Sequence, residues 1–241
     1  MICLVDHHRL ADLRQLSLQE DPYACRIACL FDSYGLSYDF ARFWVQYDTN
    51  GQATAAIVRY YDAVTAALTD NSDREELTGF LQVIGFGSLS APEPLLPGQE
   101  EAGVLMRLVR PADAPELSDD LVLNDQPSLN GVYRLLESCR DELNVPPYES
   151  FLLDMSHKLR HGTALCITLE KDGVPIACAM TVAQSETCAV IGGVAVHRQF
   201  RRRGYGTACV TELCRRLSGR SVLLVREPHR NRAFYEKLGF I

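Results

Sequence analysis

The sequence predicts an α/β (α+β) fold in which helices flank a mixed, mostly antiparallel sheet and a degenerate N-terminal half-repeat packs against it. The second half alternates strand-like and helical segments in the order β-α-α-β-β-β-α-β-α. Two of its strands meet at Asp172-Gly173, a dipeptide typical of tight hairpin turns. The first half holds a similar hairpin, because "FWVQYDTNGQATAAIV" aligns without a gap with "LCITLEKDGVPIACAM". Gly51 then falls on Gly173, an offset of 122 residues (173 − 51).

The length and one break in the pattern predict two domains. A chain of 241 residues allows one large domain or two modest ones. The segment "SAPEPLLPGQEEAG", Ser90 to Gly103, interrupts the periodic segments on either side with prolines, glycines and acids. We therefore expect domains at residues 1–100 and 101–241. A chance hairpin in an unrelated α+β domain is the alternative to a repeat in the first half.

Each element of the second half has its own signal. The strand "VLMRLVR" ends before Pro111, and two amphipathic helices follow in "SLNGVYRLLESCRDEL" and "YESFLLDMSHKLRHG". After the hairpin comes "TCAVIGGVAV", a strand whose glycine pair indicates a bulge or a close backbone approach. A helix in "GTACVTELCRRL", the buried strand "SVLLV" and a short helix in "NRAFYEKLG" complete the chain, with Gly239 as the last C-cap.

Composition disfavours several classes of function. No apolar stretch is long enough to span a bilayer, and the start of the chain lacks the pattern of a secretory signal, so we expect a cytoplasmic protein without a membrane partner. The nine cysteines are scattered and form no CxxC pair, so we expect no metal site. The net charge of −7 disfavours nucleic acid as a partner.

The stretch "FRRRGYGTA", Phe200 to Ala208, lies where an apolar strand ends and a helix begins. Gly204 and Gly206 lack a Cβ and let a ligand approach the main chain closely. The first amides of the helix have no intrahelical partner, and together with the helix dipole they attract an anion. Arginine side chains can pair with phosphate oxygens. The stretch therefore predicts a phosphate cradle, and a solvated basic turn is the alternative.

Two motifs together resemble the GNAT N-acetyltransferase family over roughly Met106 to the C-terminus. The family signature Q/R-x-x-G-x-G/A is present as "RRRGYG", Arg201 to Gly206, and the closing motif as "NRAFYEKLGF", Asn231 to Phe240. The fold is then GNAT-like, and the first half resembles a degenerate GNAT-like repeat. The resemblance implies acetyl-CoA as acyl donor and a primary amine, on a small molecule or a peptide, as acceptor.

The resemblance also implies roles for the residues at matching positions. Main-chain groups near Val194 and Val196 would line the pantetheine arm, and amides of the signature loop would hold the pyrophosphate. Tyr235 would be the general acid toward the departing thiolate, since a phenol is protonated at neutral pH. The implied cofactor-binding residues are Val194, Ala195, Val196, Arg201, Arg202, Arg203, Gly204, Tyr205, Gly206, Thr207, Asn231 and Phe234.

The general base is the weakest part of the match. Some family members place a glutamate early on the strand before the signature, whereas "CAVIGG" is apolar here. Glu186 lies just upstream and is the candidate base, acting through water. Glu149, Asp154 and His157 on the second helix are alternatives that remain open.

The end of the chain also departs from the family, because only Ile241 follows "GF" where further strands are usual. Either the sheet is shorter, or the first half packs against the second and completes that edge or walls the acceptor cleft. A homodimer is also left open.

Two other functions compete with acyl transfer. One is a non-catalytic, regulatory protein that binds acyl-CoA but has lost the base. The other is a nucleic-acid-binding module in which "RRRGYG" grips phosphate and Tyr205 stacks on a base.

Overall fold

A computed structural model describes residues 1–98 and 103–241. The chain divides into two compact units, Met1–Ala102 with Gln184–Cys188, and Gly103–Ala183 with Ala189–Ile241. The predicted domain boundary between residues 100 and 101 lies outside the described residues. None of the helices in the two described ranges is long and apolar enough to cross a membrane.

The first unit is built on a five-stranded sheet. The strands lie in the order β1-β2-β3-β4-β5, with β4 and β5 parallel and the other pairs antiparallel. The elements are β1 (Ile2–Leu4), α1 (Leu10–Leu16), α2 (Pro22–Tyr34), β2 (Ala41–Tyr47), β3 (Ala53–Tyr60), β4 (Ala63–Leu68), α3 (Arg74–Ile84) and β5 (Ser88–Ser90).

Side chains of the first sheet alternate between two cores, as period-two strands require. On one face Phe43 and Val45 of β2 pack against buried residues of α1 and α2, such as Leu13 and Ile27. On the other face Ile57 and its neighbours on β3 pack against α3. Helices therefore cover both faces of this sheet, and the predicted hairpin of the first half is β2 and β3.

The second unit is built on a six-stranded sheet in the order β6-β11-β10-β9-β8-β7. A 3-10 turn, Arg198–Phe200, follows β10. The elements are β6 (Val104–Arg107), β7 (Leu121–Asn124), α4 (Leu129–Glu137), α5 (Tyr148–His161), β8 (Cys166–Lys171), β9 (Val174–Gln184), β10 (Cys188–Val196), α6 (Tyr205–Arg216), β11 (Ser221–Arg226) and α7 (Arg232–Lys237).

Two cores again sandwich the sheet. Helices α4 and α5 cover one face, where Leu135 and Phe151 pack against Met180. Helix α6 covers the other face, where Leu213 and Leu217 pack with residues of β8, β9 and β11. The predicted order of elements is confirmed apart from β7, which the sequence pattern missed. That strand has four residues and lies at the edge of the sheet, where β8 is its one partner among the described strands. Its apolar Val122 is 60% exposed, so the strand lacks the alternation of buried and exposed residues that predicts a strand.

The last residues of the chain pair with the outer strand β6. Arg107 and Ile241 exchange both main-chain hydrogen bonds, at 2.8 and 2.9 Å, and the amide of Val109 donates to the Gly239 carbonyl at 2.9 Å. Leu108 and Phe240 form an antiparallel bridge between these bonds. The six strands of this sheet all come from residues 104–226. The expectation that first-half strands complete this edge is therefore wrong, because the three C-terminal residues pair with β6 themselves.

Gly239 makes this pairing possible. Its φ is +90°, and a Cβ built on it would overlap the Arg110 carbonyl oxygen. We expect Gly239→Ala to lower the free energy of unfolding by about 3 kcal/mol or more, because left-handed strain adds to a backbone clash. Urea denaturation of the full chain measures this loss.

Gly219→Ala is the matched control. Gly219 has a similar φ of +87°, but nothing lies within 4 Å of the added Cβ. We expect a loss of about 1 kcal/mol from strain alone. Equal losses for the two variants would contradict the clash at Arg110.

Candidate functional site

Strand β10 packs closely on side chains of β9 at a glycine pair near its middle. A Cβ on Gly192 would lie 2.5 Å from Val182 Cγ1, and one on Gly193 would lie 2.9 Å from Met180 Cγ. Gly193 also has a φ of +55°, in the left-handed region. The glycine pair therefore leaves room for the Val182 and Met180 side chains of β9 to pack against the main chain of β10. It directly precedes Val194, the first residue that the sequence assigns to the ligand.

The signature loop presents a run of unpaired amides. Arg202 and Gly204 have positive φ values of 62° and 81°, and α6 begins at Tyr205 without a side-chain cap. Across residues 1–98 and 103–241, no acceptor receives a hydrogen bond from any main-chain N–H between Arg202 and Thr207. Successive amides in such a turn, at the start of a twelve-residue helix, form a concave site for an anion.

The two glycines of the loop have different roles. Gly204 provides the left-handed φ at the N-cap, and the nearest atom to an added Cβ is Pro115 Cβ at 3.8 Å. Gly206 is buried, and an added Cβ would lie 3.1 Å from Val196 Cγ2 and 3.6 Å from Phe234 Cζ. Gly206 therefore lets α6 begin close to the end of β10 and close to α7.

The three arginines of the signature are not equivalent. Arg201 is half-buried and bonds to the protein, with Nε donating to the Val196 carbonyl at 3.1 Å and Nη1 to Glu142 Oε1 at 2.7 Å. The hydrogen bond to Glu142 raises the pKa of the Arg201 guanidinium above its ordinary value. Arg202 and Arg203 are exposed, and the Arg203 guanidinium lies 5.8 Å from the centre of the Phe200 ring. The sequence carried no signal for the role of Glu142, which lies 59 residues before its partner.

Helix α7 brings the second motif beside the first. Its N-cap, Asn231, is exposed and has a φ of +61°, and its side chain makes no capping bond. Phe234 packs near Gly206, and its ring centre lies 5.0 Å from that of Tyr235. Tyr235 is half-buried against the core, with its ring centre 5.9 Å from that of Phe240. Burial raises the pKa of Tyr235 above its ordinary value, so the phenol holds its proton at neutral pH.

The structure separates the candidate base from the end of β10. Glu186 lies in the turn between β9 and β10, where it lines a small cavity of the first unit with Arg14 and Asp32. Strand β10 from Cys188 to Val194 alone spans about 20 Å at 3.3 Å per residue. A direct proton transfer by Glu186 near Val194 is excluded by this length, and its role through water stays a prediction.

The alternative bases lie on α5. Asp154 accepts a hydrogen bond from the buried Lys158 at 2.8 Å, and the His157 and His161 rings lie 4.3 Å apart. Glu149 is exposed in the first turn of the helix. Asp154 is thus held in an ion pair, whereas Glu149 faces solvent.

Comparisons with known proteins agree with this geometry. The model of the acetyltransferase (GNAT) family matches residues 129–240, which include β10, the signature loop and the whole closing motif. No curated protein sequence matches the chain.

Several solved structures share the fold over the whole chain. A tandem GNAT protein from the clavulanic acid biosynthesis pathway is 14% identical, with a TM-score of 0.62, covering 100% of this chain and 94% of its own. A GCN5-related N-acetyltransferase from Sphaerobacter thermophilus is 16% identical, with a TM-score of 0.58 and coverage of 100% and 91%. A GNAT family acetyltransferase from Colwellia psychrerythraea is 13% identical, with a TM-score of 0.57 and coverage of 100% and 96%. Residues 129–240 therefore form a domain of the GNAT acetyltransferase family, in a chain whose two halves together have the fold of a tandem GNAT protein.

Proposed function

We propose that the protein transfers an acetyl group from acetyl-CoA to a primary amine of a small molecule or a peptide. The observation that carries this proposal is the run of unpaired amides from Arg202 to Thr207 at the start of α6. A pyrophosphate fits these groups, because it supplies several anionic acceptors and the helix dipole favours negative charge there. Exposed Arg202 and Arg203 lie beside the amides and can neutralise further phosphate oxygens.

The end of β10 would orient the rest of the donor. Main-chain groups of Val194 to Val196 would bind the pantetheine arm, with Phe234 and Asn231 beside it on α7. The Val196 carbonyl already accepts a hydrogen bond from Arg201, so it is held in place by the protein. A main-chain N–H near Val194 would polarise the thioester carbonyl, in the manner of an oxyanion hole.

Proton transfers complete the reaction. The amine nitrogen bonds to the acetyl carbonyl carbon, the carbon–sulfur bond breaks, the amine loses a proton and the leaving thiolate gains one. Tyr235 would donate that second proton or a hydrogen bond to the sulfur, since its buried phenol remains protonated. The proton from the amine passes to a base. Glu186 is the proposed candidate and would act through a chain of several waters, because about 20 Å of β10 lies between it and Val194.

A second acyl-CoA site in the first unit is disfavoured by the start of α3. There the Asp73 carboxylate accepts the Glu76 amide at 3.0 Å, and Glu75 and Glu76 add negative charge to the first turn. The Arg74 guanidinium donates to the carbonyls of residues 69, 70 and 72. The start of α3 therefore already has carboxylates at the position where α6 presents unpaired amides, and these carboxylates would repel a phosphate.

Calorimetric titration with acetyl-CoA is expected to give one site per chain, and Gly204→Val to abolish it. The φ of +81° at Gly204 is strained for a β-branched residue, so the amides would no longer converge. We expect affinity to fall by about 100-fold or more.

Gly51→Val is the control for strain in general. Gly51 has a φ of +78°, lies in the first-unit hairpin and has nothing within 4 Å of an added Cβ. This variant should lose stability but bind acetyl-CoA as the unchanged protein does. Two sites per chain, or unchanged binding by Gly204→Val, would contradict the proposal.

Tyr235→Phe tests the acid. We expect kcat with an accepted amine to fall by about 100-fold while the Kd for acetyl-CoA changes less than about twofold, because the ring remains and only the donor is lost. Release of free thiol measures kcat. The acid form exists below the pKa of Tyr235 and is lost as pH rises through it, so burial moves the alkaline loss of activity above pH 10.

Tyr133→Phe is the matched variant. The Tyr133 hydroxyl donates to the Pro146 carbonyl at 3.1 Å and is not part of the proposed site. Its kcat should be unchanged. If Tyr235→Phe also keeps full kcat, the acid role is wrong.

If the unchanged protein binds acetyl-CoA but releases no thiol with any amine or polyamine tested, the non-catalytic alternative holds instead.

A further inference from the structure

The Arg201 guanidinium is bonded to the protein through all three of its nitrogens. Nε donates to the Val196 carbonyl at 3.1 Å, Nη1 to Glu142 at 2.7 Å, and Nη2 lies 3.8 Å from the Cys139 sulfur. The Cys139 thiol is buried and itself donates to the Val196 carbonyl at 3.6 Å. All three nitrogens of this first arginine of the signature therefore already have partners within the protein.

These contacts join two segments that are distant in sequence. Val196 is the last residue of β10, and Arg201 immediately precedes the unpaired amides. Cys139 and Glu142 lie in the segment after α4. A second ion pair, between Arg198 and Asp141, joins the same two segments beside the first.

Main-chain hydrogen bonds do little to fix the conformation of the loop. Arg202 is a non-glycine residue with a φ of +62°, a conformation that persists only where its surroundings impose it. The amides of residues 202–204 bond to no acceptor in the described chain, and the Arg201 amide makes only a long bond of 3.4 Å to the Arg198 carbonyl. The side chain of Arg201 is therefore the nearest firm attachment to the strained residue.

We propose that Arg201 and Glu142 are positioning residues that act as one unit, holding residues 201–207 in the conformation that receives phosphate, and that the Arg201 side chain is not itself a phosphate ligand. This inference rests on the proposed function of the loop.

The two roles of Arg201 give opposite signs for one substitution. If Glu142 kept a phosphate-binding Arg201 away from the ligand, Glu142→Gln would free the guanidinium and tighten binding. Removing the negative charge of Glu142 near the phosphates of acetyl-CoA would also tighten binding. If Glu142 positions the loop, the same substitution weakens binding in spite of the charge change.

The test is calorimetric titration of acetyl-CoA into the full-length protein and three variants, Glu142→Gln, Arg201→Lys and the double variant. We expect Glu142→Gln to raise the Kd for acetyl-CoA by about tenfold. The Kd of the double variant should exceed that of Arg201→Lys by no more than about twofold, because the two side chains act as one unit. Lysine does not replace Arg201, because a single ammonium cannot reach three acceptors in a planar fork. For Glu142→Gln at saturating acetyl-CoA, kcat should stay within about twofold of that of the unchanged protein.

Glu137→Gln is the charge-matched control. Glu137 loses the same charge from an exposed ion pair, and its partner Arg140 lies three residues further along the same segment. Its Kd should be unchanged or slightly lower. The proposal is overturned if Glu142→Gln binds as tightly as Glu137→Gln or more tightly, or if the effects of Glu142→Gln and Arg201→Lys multiply in the double variant.

Hydrogen exchange of the ligand-free protein separates this inference from the proposed function. We expect the peptides that carry the hydrogen-bonded amides of Phe200, Arg201 and Ala208, at the two ends of the loop, to exchange faster in Glu142→Gln than in Glu137→Gln, with the rest of the second unit unchanged. Equal exchange would overturn the positioning role even if acetyl-CoA binds. If the unchanged protein does not bind acetyl-CoA, the proposed function fails, and the exchange comparison still decides whether Glu142 holds the loop.

Discussion

The second unit is organised around main-chain amides that the protein leaves without acceptors. Main-chain N–H groups are normally paired with protein or water, and the run from Arg202 to Thr207 has no acceptor among the described residues. Positive φ values at Arg202 and Gly204 direct these amides, and Gly206 allows α6 to start against β10 and α7. The contacts of Arg201 with Val196 and Glu142 hold the preceding residue. The strand, the loop and the helix together present main-chain N–H donors to an anion that must come from a ligand.

The two halves show how one fold can keep or lose such a site. Both hairpins turn on glycines with nearly the same φ, 78° at Gly51 and 73° at Gly173, and both sheets carry helices on each face. Core packing therefore preserves the architecture in each half. The difference lies at one helix start, because Asp73 satisfies α3 with a carboxylate and α6 has no such cap. A capped helix is the more stable arrangement, whereas an uncapped one is available to a ligand.

Features with a local physical cause could be predicted from the sequence. The hairpin at Asp172-Gly173, the order of the long elements and the glycine loop all follow from short-range patterns, and the structure contains each of them. Features that depend on distant pairing could not be predicted. The edge strand β7 is too short and exposed to show a period, and the pairing of Ile241 with Arg107 joins residues 134 positions apart (241 − 107). The contact between Arg201 and Glu142 is of the same kind. The sequence therefore did not distinguish the three arginines, whereas in the structure Arg201 is half-buried and bonded to the protein, and Arg202 and Arg203 are exposed.

Hydrogen exchange with and without acetyl-CoA tests the central claim most directly, because it reads the amides themselves. The account predicts that acetyl-CoA slows exchange in peptides covering residues 201–207 and the end of β10, and leaves the start of α3 at residues 73–76 unchanged. Protection at α3 with none at residues 201–207, or no protection in either place at saturating acetyl-CoA, would contradict it.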